Sequence, residues 1–244
     1  MSRFFVAPES VGADSIIIDS RDDIHHMTKV LRLSEGDEID VSDSVCWEYR
    51  CEIKEIDSTA VILKILDKQS FSTESDTRVT LFQGIPKGSK FETIVQKTVE
   101  LGIDTIQPVF MARTVVVDKG NYSKKVVRLN KIAAEAVKQC KRGVIPQVED
   151  AIRFKEMLGL LSDYDMVLFP YENEKGTTIK DVLRNCQDVR SIAVIIGPEG
   201  GFSEEEATQV VDAGGLSVSL GKTTLRTETA GMAALAMIMY ELEM

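Results

Sequence analysis

Cysteine and histidine are scarce in this chain, which limits the chemistry available to it. The four cysteines are scattered without a C-x-x-C pair, a pattern that predicts free thiols in a reducing cytosol. The two histidines, His25 and His26, are adjacent and leave little from which to build a zinc site, so we predict no bound metal. The cysteines are Cys46, Cys51, Cys140 and Cys186.

Long apolar runs are also missing. No stretch is long enough to cross a bilayer, and the first ten residues, MSRFFVAPES, lack the apolar centre of a signal peptide. We therefore predict a cytoplasmic protein with no membrane partner. The 244 residues, 43% of them hydrophobic, suffice for one large domain or two small ones.

The net charge of −10 is unlike that of a general nucleic-acid binder. Residues 1–68 carry eight Lys and Arg against fifteen Asp and Glu, whereas residues 119–146 carry eight against one. A basic segment inside an acidic protein is more informative than the total charge. Its basic residues are Lys119, Lys124, Lys125, Arg128, Lys131, Lys138, Lys141 and Arg142.

The chain divides by pattern into two domains. Residues 1–68 contain short strand patterns, one of which alternates apolar with polar residues at Val45, Trp47, Tyr49, Cys51 and Ile53. Closely spaced strands of this kind predict a small β-barrel. The Ser/Thr-rich residues 69–77 form the predicted linker. Residues 78–244 alternate strand and helix patterns, which predicts an α/β domain with a mainly parallel sheet.

A helix predicted over residues 123–142 places its charges on one face, because they recur at spacings of three and four. Such a face is usually a solvated surface, but one that is almost entirely basic repels itself unless an anion binds there. We therefore predict a polyanion partner. We also place Arg3, Lys29 and Arg32 on a functional face of the first domain, with solvated surface charge as the alternative. The predicted helix-face residues are Lys124, Arg128, Lys131, Glu135, Lys138 and Arg142.

The last helix, GMAALAMIMYELEM, is apolar nearly all round, which is typical of a buried helix. We predict a homodimer that uses this helix. Burial entirely within one chain is the alternative.

Two glycine-containing turns, at 197–201 and at Gly221, end successive strands and predict a ligand crevice. Neither the P-loop nor the G-x-G-x-x-G spacing is present. Ser203 and Glu206 form a predicted capping box, and the glutamates of that first helical turn would repel a phosphate. The pattern favours a ligand with an adenosine body and no phosphate, with a tight ligand-free connection as the alternative.

Arg226 lies at the start of the final helix beside Thr227, the predicted N-cap. It is either an ion-pair partner of Glu228 or Glu199, or a cation that stabilises an anionic intermediate.

These motifs together closely resemble the ribosomal RNA small subunit methyltransferase E family, which belongs to the SPOUT class. The likeness covers nearly the whole chain. The motifs that carry it are Gly-Pro-Glu-Gly-Gly-Phe-Ser at 197–203, Leu-Arg-Thr-Glu-Thr-Ala at 225–230, Arg-Phe-Phe-Val at 3–6, Val-Leu-Arg-Leu at 30–33, Pro-Lys-Gly at 86–88 and Val-Glu-Leu-Gly at 99–102.

The resemblance implies an N-terminal PUA-like β-barrel that binds RNA and a C-terminal SPOUT α/β domain with a deep trefoil knot. It further implies a homodimer that uses S-adenosyl-L-methionine to methylate N3 of a uridine in 16S ribosomal RNA of the small subunit. The family often has a second arginine where this chain has Thr223. The cofactor-binding residues it implies are Leu168, Glu172, Ile196, Gly197, Glu199, Gly201, Leu220, Gly221 and Leu225.

For catalysis, our hypothesis is that Arg226 stabilises charge on a uracil carbonyl and that Glu199 positions the base or shapes the cofactor pocket. The basic helix and the barrel would hold RNA by its phosphates. One alternative is a non-catalytic RNA-binding or ribosome assembly factor with a vestigial pocket. Another is a methyltransferase for a different RNA or atom. The sequence leaves open the target nucleotide, the group that deprotonates N3, and whether free RNA or assembled subunit is the substrate.

Overall fold

The computed structural model describes residues 3–71, 74–117, 120, 122–186 and 188–243. The chain forms two compact units, which are taken separately below. The first comprises Met1–Glu74 with Val137–Ile145, and the second comprises Ser75–Ala136 with Pro146–Met244. No sequence pattern signals that residues 137–145 belong with the first unit. Lys119, predicted to be part of the basic segment, and Ser72 and Thr73 of the predicted linker lie outside the described residues.

The first unit is built around a five-stranded sheet. Its strands are β1 (Arg3–Phe5), β2 (Ser15–Ile18), β3 (Glu38–Ser42), β4 (Trp47–Ile56) and β5 (Val61–Ser70). Their order is β1-β3-β4-β5-β2, antiparallel except for the parallel pair β1 and β3. Among the described residues β1 and β2 do not pair with each other, so the strand pairing leaves the sheet open.

Apolar and polar residues alternate along β4, so that one face of this sheet is buried. Tyr49, Cys51 and Ile53 lie in the core, as their spacing predicts, together with residues such as Phe4 and Leu63. Trp47, the first residue of β4, and Val45 before it are 37% and 62% exposed, which corrects their predicted place on the buried face.

A short helix connects β2 to β3 in the first unit. Helix α1 (Arg21–His25) continues as a π-helical turn, His26–Val30. Its N-cap is Ser20, whose hydroxyl accepts the Asp23 N–H at 3.3 Å. The hydroxyl of Ser20 thus satisfies an amide of the first helical turn that has no partner within the helix.

Arg3 and Arg142 have structural partners inside the first unit, which corrects their predicted placement on exposed faces. The Arg3 guanidinium donates to the carbonyls of Lys141 and Arg142 at 2.6 and 2.9 Å, and its side chain is 12% exposed. The buried Arg142 guanidinium pairs with Glu74 at 2.7 Å. Glu74 also accepts the Gly143 N–H at 2.7 Å. These contacts hold residues 137–145 within the first unit.

The second unit contains a seven-stranded parallel sheet. The strands are β6 (Arg78–Gly84), β7 (Thr105–Phe110), β8 (Gln147–Val148), β9 (Ile152–Arg153), β10 (Met166–Pro170), β11 (Ser191–Ile196) and β12 (Leu216–Val218). The order is β12-β10-β11-β6-β7-β8, with β9 also pairing with β7, and every pair is parallel. The prediction of a parallel sheet is confirmed.

Helices cover both faces of this sheet. They are α2 (Lys90–Glu100), α3 (Tyr122–Cys140), whose last turn belongs to the first unit, α4 (Phe154–Leu160), α5 (Ile179–Arg184), α6 (Glu204–Asp212) and α7 (Thr227–Glu243). Because side chains alternate along a strand, Phe82 packs with residues of α4 and α6, whereas Leu81 and Gln83 lie beneath Gly231 of α7. In the part of the chain that is described, no helix is both long and apolar enough to span a membrane.

Helices α3 and α7 differ from their predictions in extent and burial. Helix α3 ends at Cys140, and Lys141 adopts a positive φ of 61°, so Arg142 lies beyond the charged helix face. Helix α7 buries one side, including Leu235 and Ile238, but leaves Met237 36% and Tyr240 67% exposed. It is therefore not buried all round within one chain.

The Arg142–Glu74 pair is testable through the stability of the first unit. Trp47 is the only tryptophan, so its fluorescence follows that unit. Arg142→Met strands a largely buried carboxylate, and we expect it to lower the free energy of unfolding by roughly 3 kcal/mol. Urea titration of Trp47 fluorescence measures this loss.

The matched control is Lys54→Met, which removes the more exposed pair with Glu52 in the same unit. We expect that variant to unfold within about 1 kcal/mol of the wild type. Equal fluorescence midpoints for Arg142→Met and the wild type would contradict the structural role of the buried pair.

Candidate functional site

A cavity of about 890 Å³ opens at the carboxyl ends of β10, β11 and β12. Loops at this edge of a parallel sheet commonly build ligand sites. Three turns form its walls: residues 170–178 after β10, 196–202 after β11, and 219–228 between β12 and α7. Lys90, at the start of α2, completes the lining from a fourth direction.

The turn after β11 is shaped by close backbone approach. A Cβ on Gly84 would lie 2.5 Å from the Pro198 nitrogen, so the end of β6 contacts the turn directly. Gly201 has a φ of +66°, and a Cβ there would lie 2.7 Å from Glu172 Oε1. Arg113 donates to the Gly200 carbonyl at 2.8 Å. Glycine is needed here for both conformation and space.

The start of α7 is attached to this turn by a buried hydroxyl. Thr227 donates to the Gly197 carbonyl at 2.6 Å and accepts from Gln83 Nε2 at 2.9 Å. The prediction that Thr227 caps α7 is wrong, since the helix begins at Thr227 and the Ala230 N–H bonds the Arg226 carbonyl at 2.8 Å. The threonine instead joins β6, the turn after β11 and α7.

Glu199 has a crowded set of donors. Its carboxylate accepts the Lys87 N–H at 3.1 and 3.3 Å and Lys90 Nζ at 2.7 Å. Burial raises the pKa of this carboxyl, but the hydrogen bonds from Lys90 and the backbone outweigh it, and the pKa lies below its usual value. Glu199 is therefore an ionised group that fixes the turn before α2 to the turn after β11.

Glu228 differs from Glu199 in its bonding. Its Oε2 is buried and accepts no hydrogen bond within the described residues, and Lys90 Nζ lies 4.0 Å from it. Arg226, two residues earlier, lines the same cavity with an exposed side chain. The cavity thus combines a free carboxylate oxygen with a nearby guanidinium group.

The helix after the glycine turn begins with the capping box that the sequence predicts. Ser203 Oγ accepts the Glu206 N–H at 3.1 Å, and the Glu206 carboxylate accepts the Ser203 N–H at 3.0 Å, so the predicted capping box is confirmed. Glu206 also accepts the Ala112 N–H at 2.7 Å. Three glutamates therefore occupy the first turn of this helix, and their charge disfavours an anion at its N-terminus.

Most of the predicted pocket residues line the cavity, and one does not. Leu168 is fully buried in the middle of β10, and the lining begins two residues later at Pro170, because only the strand end reaches the crevice. The predicted residues that line it are Glu172, Ile196, Gly197, Glu199, Gly201, Leu220, Gly221, Leu225 and Arg226. Thr223, at the position where the family often has arginine, also lines it.

Lys90, Lys175 and Thr178 also line the cavity, although no sequence pattern predicted them. Lys90 reaches the cavity only because β6 pairs with β11, an adjacency between distant segments that no local pattern reveals. Lys175 and Thr178 lie in the turn after β10. The length of the connection between β10 and α5 was the sequence feature that could have indicated them.

The predicted RNA-binding residues fall into two groups. Lys124, Arg128 and Lys131 are exposed on α3 in the second unit, and Arg128 pairs with Glu92 at 3.0 Å. In the first unit Arg32 is exposed with a φ of 56°, and Lys138 is half-buried, 3.8 Å from Asp23. Arg3 and Arg142 are engaged internally, as described above.

Comparison with known proteins assigns both parts of the chain. A family model described as the RNA methyltransferase domain matches residues 73–239, and one described as the RNA methyltransferase PUA domain matches residues 18–66. The mixed α/β fold therefore has an N-terminal PUA domain and a C-terminal methyltransferase domain.

Individual relatives agree with this assignment along the whole chain. Ribosomal RNA small subunit methyltransferase E from Bacillus subtilis is 32% identical over 251 residues, covering 100% of this chain and 98% of that protein. A crystal structure of a hypothetical protein is 31% identical with a TM-score of 0.90, over 99% of this chain and 98% of that one.

A further crystal structure shows a relative with its ligand. Ribosomal RNA small subunit methyltransferase E from Neisseria gonorrhoeae, bound to S-adenosyl methionine, is 28% identical with a TM-score of 0.86, over 98% of this chain and 97% of that one. The chain itself belongs to the ribosomal RNA small subunit methyltransferase E family.

Proposed function

We propose that this protein binds S-adenosyl-L-methionine in the cavity at the ends of β10, β11 and β12 and methylates N3 of a uridine in 16S ribosomal RNA. The observation that carries the proposal is the crevice itself: about 890 Å³, walled by three turns at the sheet edge, in a chain of this family. Its substrate places the enzyme in the cytoplasm.

The residues present fit this cofactor. Glu172, Glu199 and Glu228 supply negative charge to a ligand that carries a sulfonium and an ammonium group. Ile196, Leu220 and Gly221 line the wall where an uncharged adenosine body would lie. The cofactor supplies an electrophilic methyl group, and the protein residues hold the reacting groups in line.

The target nitrogen sets the main chemical difficulty, because N3 of uracil carries a proton. Loss of that proton places negative charge on the carbonyl oxygens of the base. Arg226 lies in the cavity wall, where a fixed cation stabilises such charge. Glu199, held by Lys87 and Lys90, positions the two turns that shape the pocket. The target base leaves its stack to enter such a cavity.

We assign RNA binding to Lys124, Arg128 and Lys131 on α3 and to Arg32 in the PUA domain. Lys138 contributes less to RNA affinity, because it is half-buried and lies near Asp23. Exposed cations bind RNA mainly through its phosphates, so the affinity falls as salt rises. The negative net charge of −10 confines binding to such local basic segments.

Two finer structural features belong to the proposal. Strand β12 lies at the sheet edge beside β10, yet α7, which follows it, packs on β11 and β6. The chain therefore crosses the connection between β10 and β11 on its way from β12 to α7. We propose that this crossing forms the deep trefoil knot of a SPOUT domain. We also propose that the five-stranded sheet curls into the PUA-like barrel.

The assignment of Arg226 predicts a loss of rate without a loss of binding. We expect Arg226→Ala to lower the methylation rate by about 10²- to 10³-fold, the effect of removing one charge-stabilising donor. Mass spectrometry of 16S RNA from a strain lacking the gene, after reaction with the purified enzyme, measures the new methyl group and its position.

The control for Arg226→Ala is its affinity for RNA and for cofactor, which calorimetry should find unchanged. A near wild-type rate with unchanged RNA affinity would remove Arg226 from catalysis. If the wild-type enzyme gives no heat with S-adenosylmethionine, the protein is instead a non-catalytic RNA-binding or assembly factor.

The basic face of α3 predicts a change in salt dependence. We expect the double variant Lys124→Gln and Lys131→Gln to weaken RNA binding and to reduce the slope of log K against log salt by about 1.4, the value for two single-strand phosphate contacts. Fluorescence anisotropy over a salt series measures the slope. Lys155→Gln with Lys180→Gln, an equal charge change elsewhere on the same unit, should leave it unaltered.

Helix α7 predicts the oligomeric state. We propose a homodimer in which the exposed apolar residues of α7, Met237 and Tyr240, pack on a second copy. Tyr240→Glu places a charge in that contact, and sedimentation should show a shift from dimer to monomer. The control Leu160→Glu changes another exposed apolar residue, on α4, and should sediment as the wild type. A wild-type monomer would refute the interface.

A further inference from the structure

The geometry points to Glu228 as the group that accepts the proton from N3 of the target uracil. This inference rests on the proposed methylation of uracil N3 and names the base that such a reaction requires. A base must lie within hydrogen-bond reach of the proton and have a free acceptor oxygen when the substrate arrives.

The first observation is the unfilled acceptor capacity of Glu228. Its Oε2 is buried and accepts no hydrogen bond from the described residues, although it lies in the wall of the cavity. A buried carboxylate oxygen without a donor is costly and calls for an explanation. A ligand N–H that enters the cavity supplies the missing donor.

The second observation is that other carboxylates in the cavity are already occupied. Glu199 accepts from Lys90 and from the Lys87 amide, and these bonds keep its pKa low. Glu174 accepts the N–H groups of Gly176 and Thr177 at 2.7 and 3.0 Å, which lower its pKa. Glu172 lies in an exposed turn. The carboxylates of Glu199 and Glu174 already accept hydrogen bonds from the protein, whereas Oε2 of Glu228 is open to a substrate N–H.

The third observation is the charge around Glu228. The charged groups near it are Lys90, whose Nζ lies 4.0 Å from Oε2, and Arg226, two residues earlier in the same cavity wall. Lys90 is bound closely to Glu199, at 2.7 Å, and so leaves Glu228 Oε2 free to bond elsewhere. Arg226 is placed to stabilise the uracil anion that results.

The proton on N3 passes to Oε2 of Glu228, and the electron pair of the N–H bond stays on the base, shared between N3 and the two flanking carbonyl oxygens. That pair forms the bond from N3 to the transferred methyl carbon. The electron pair of the broken carbon–sulfur bond returns to the sulfur of the donor, which becomes neutral. The Glu228 carboxyl then releases its proton to water.

The test compares Glu228→Gln with the control Glu241→Gln, the same change on α7 at a residue that pairs with Arg184 away from the cavity. We expect Glu228→Gln to lower the single-turnover rate by 10²- to 10⁴-fold near neutral pH, the usual contribution of a general base. Its rate should then rise about tenfold per pH unit, because hydroxide provides another route to the N3 anion. Glu241→Gln should follow the wild-type profile.

Binding and chemical rescue provide readouts that a purely structural role would not satisfy. Calorimetry should give affinities for S-adenosylmethionine and for RNA within about threefold of the wild type, well under the 1.4 kcal/mol of a tenfold change. Added formate should restore part of the rate to Glu228→Ala, because a small carboxylate can occupy the space left by the side chain. This second variant keeps the test valid if Glu228→Gln folds poorly.

Three results would overturn the assignment. They are a rate for Glu228→Gln within threefold of the wild type, a reduced rate with an unchanged pH profile and weakened cofactor binding, and no rescue of a folded Glu228→Ala by formate. These results are distinct from failure of the proposed function, which would show as a wild-type enzyme that forms no 3-methyluridine in 16S RNA.

Discussion

The buried hydroxyl of Thr227 is the contact on which the arrangement of the site depends. It bonds Gln83 at the end of β6 and the Gly197 carbonyl after β11, and so connects three segments distant in sequence. A buried polar group left unpaired costs about 1–3 kcal/mol. Because a shift of α7 would break these bonds, the hydroxyl fixes the position of α7 on the sheet. The position of α7 in turn determines where Arg226 and Glu228 lie in the cavity wall.

The carboxylates of the cavity divide their roles according to their hydrogen bonds. The carboxylate of Glu199 accepts hydrogen bonds from Lys87 and Lys90 and thereby connects two turns. Glu228 has the same side chain and a similar position, but its Oε2 is left without a donor. Two glutamates on either side of Lys90 therefore differ in free acceptor capacity because their neighbours supply different numbers of donors.

Charge pattern predicted a basic surface on α3 correctly for Lys124 and Lys131, because a helical spacing places residues on one face regardless of the rest of the chain. It failed for Arg142, where the helix ends at Cys140 and the guanidinium turns inward to Glu74. It failed for Arg3 in the same way. A charge that pairs with a residue far away in sequence cannot be distinguished from a surface charge by local pattern.

The sequence alone determined the parallel α/β domain, the capping box at Ser203 and the turns that line the cavity, because these follow from local periodicity, backbone propensity and family motifs. Tertiary structure decided the rest. The pairing of β6 with β11 brings Lys90 to Glu199 and Glu228, and Leu168 falls in the core because only the last residue of β10 reaches the crevice. Those outcomes depend on which distant segments become neighbours, and neighbours set both burial and the bonds open to a side chain.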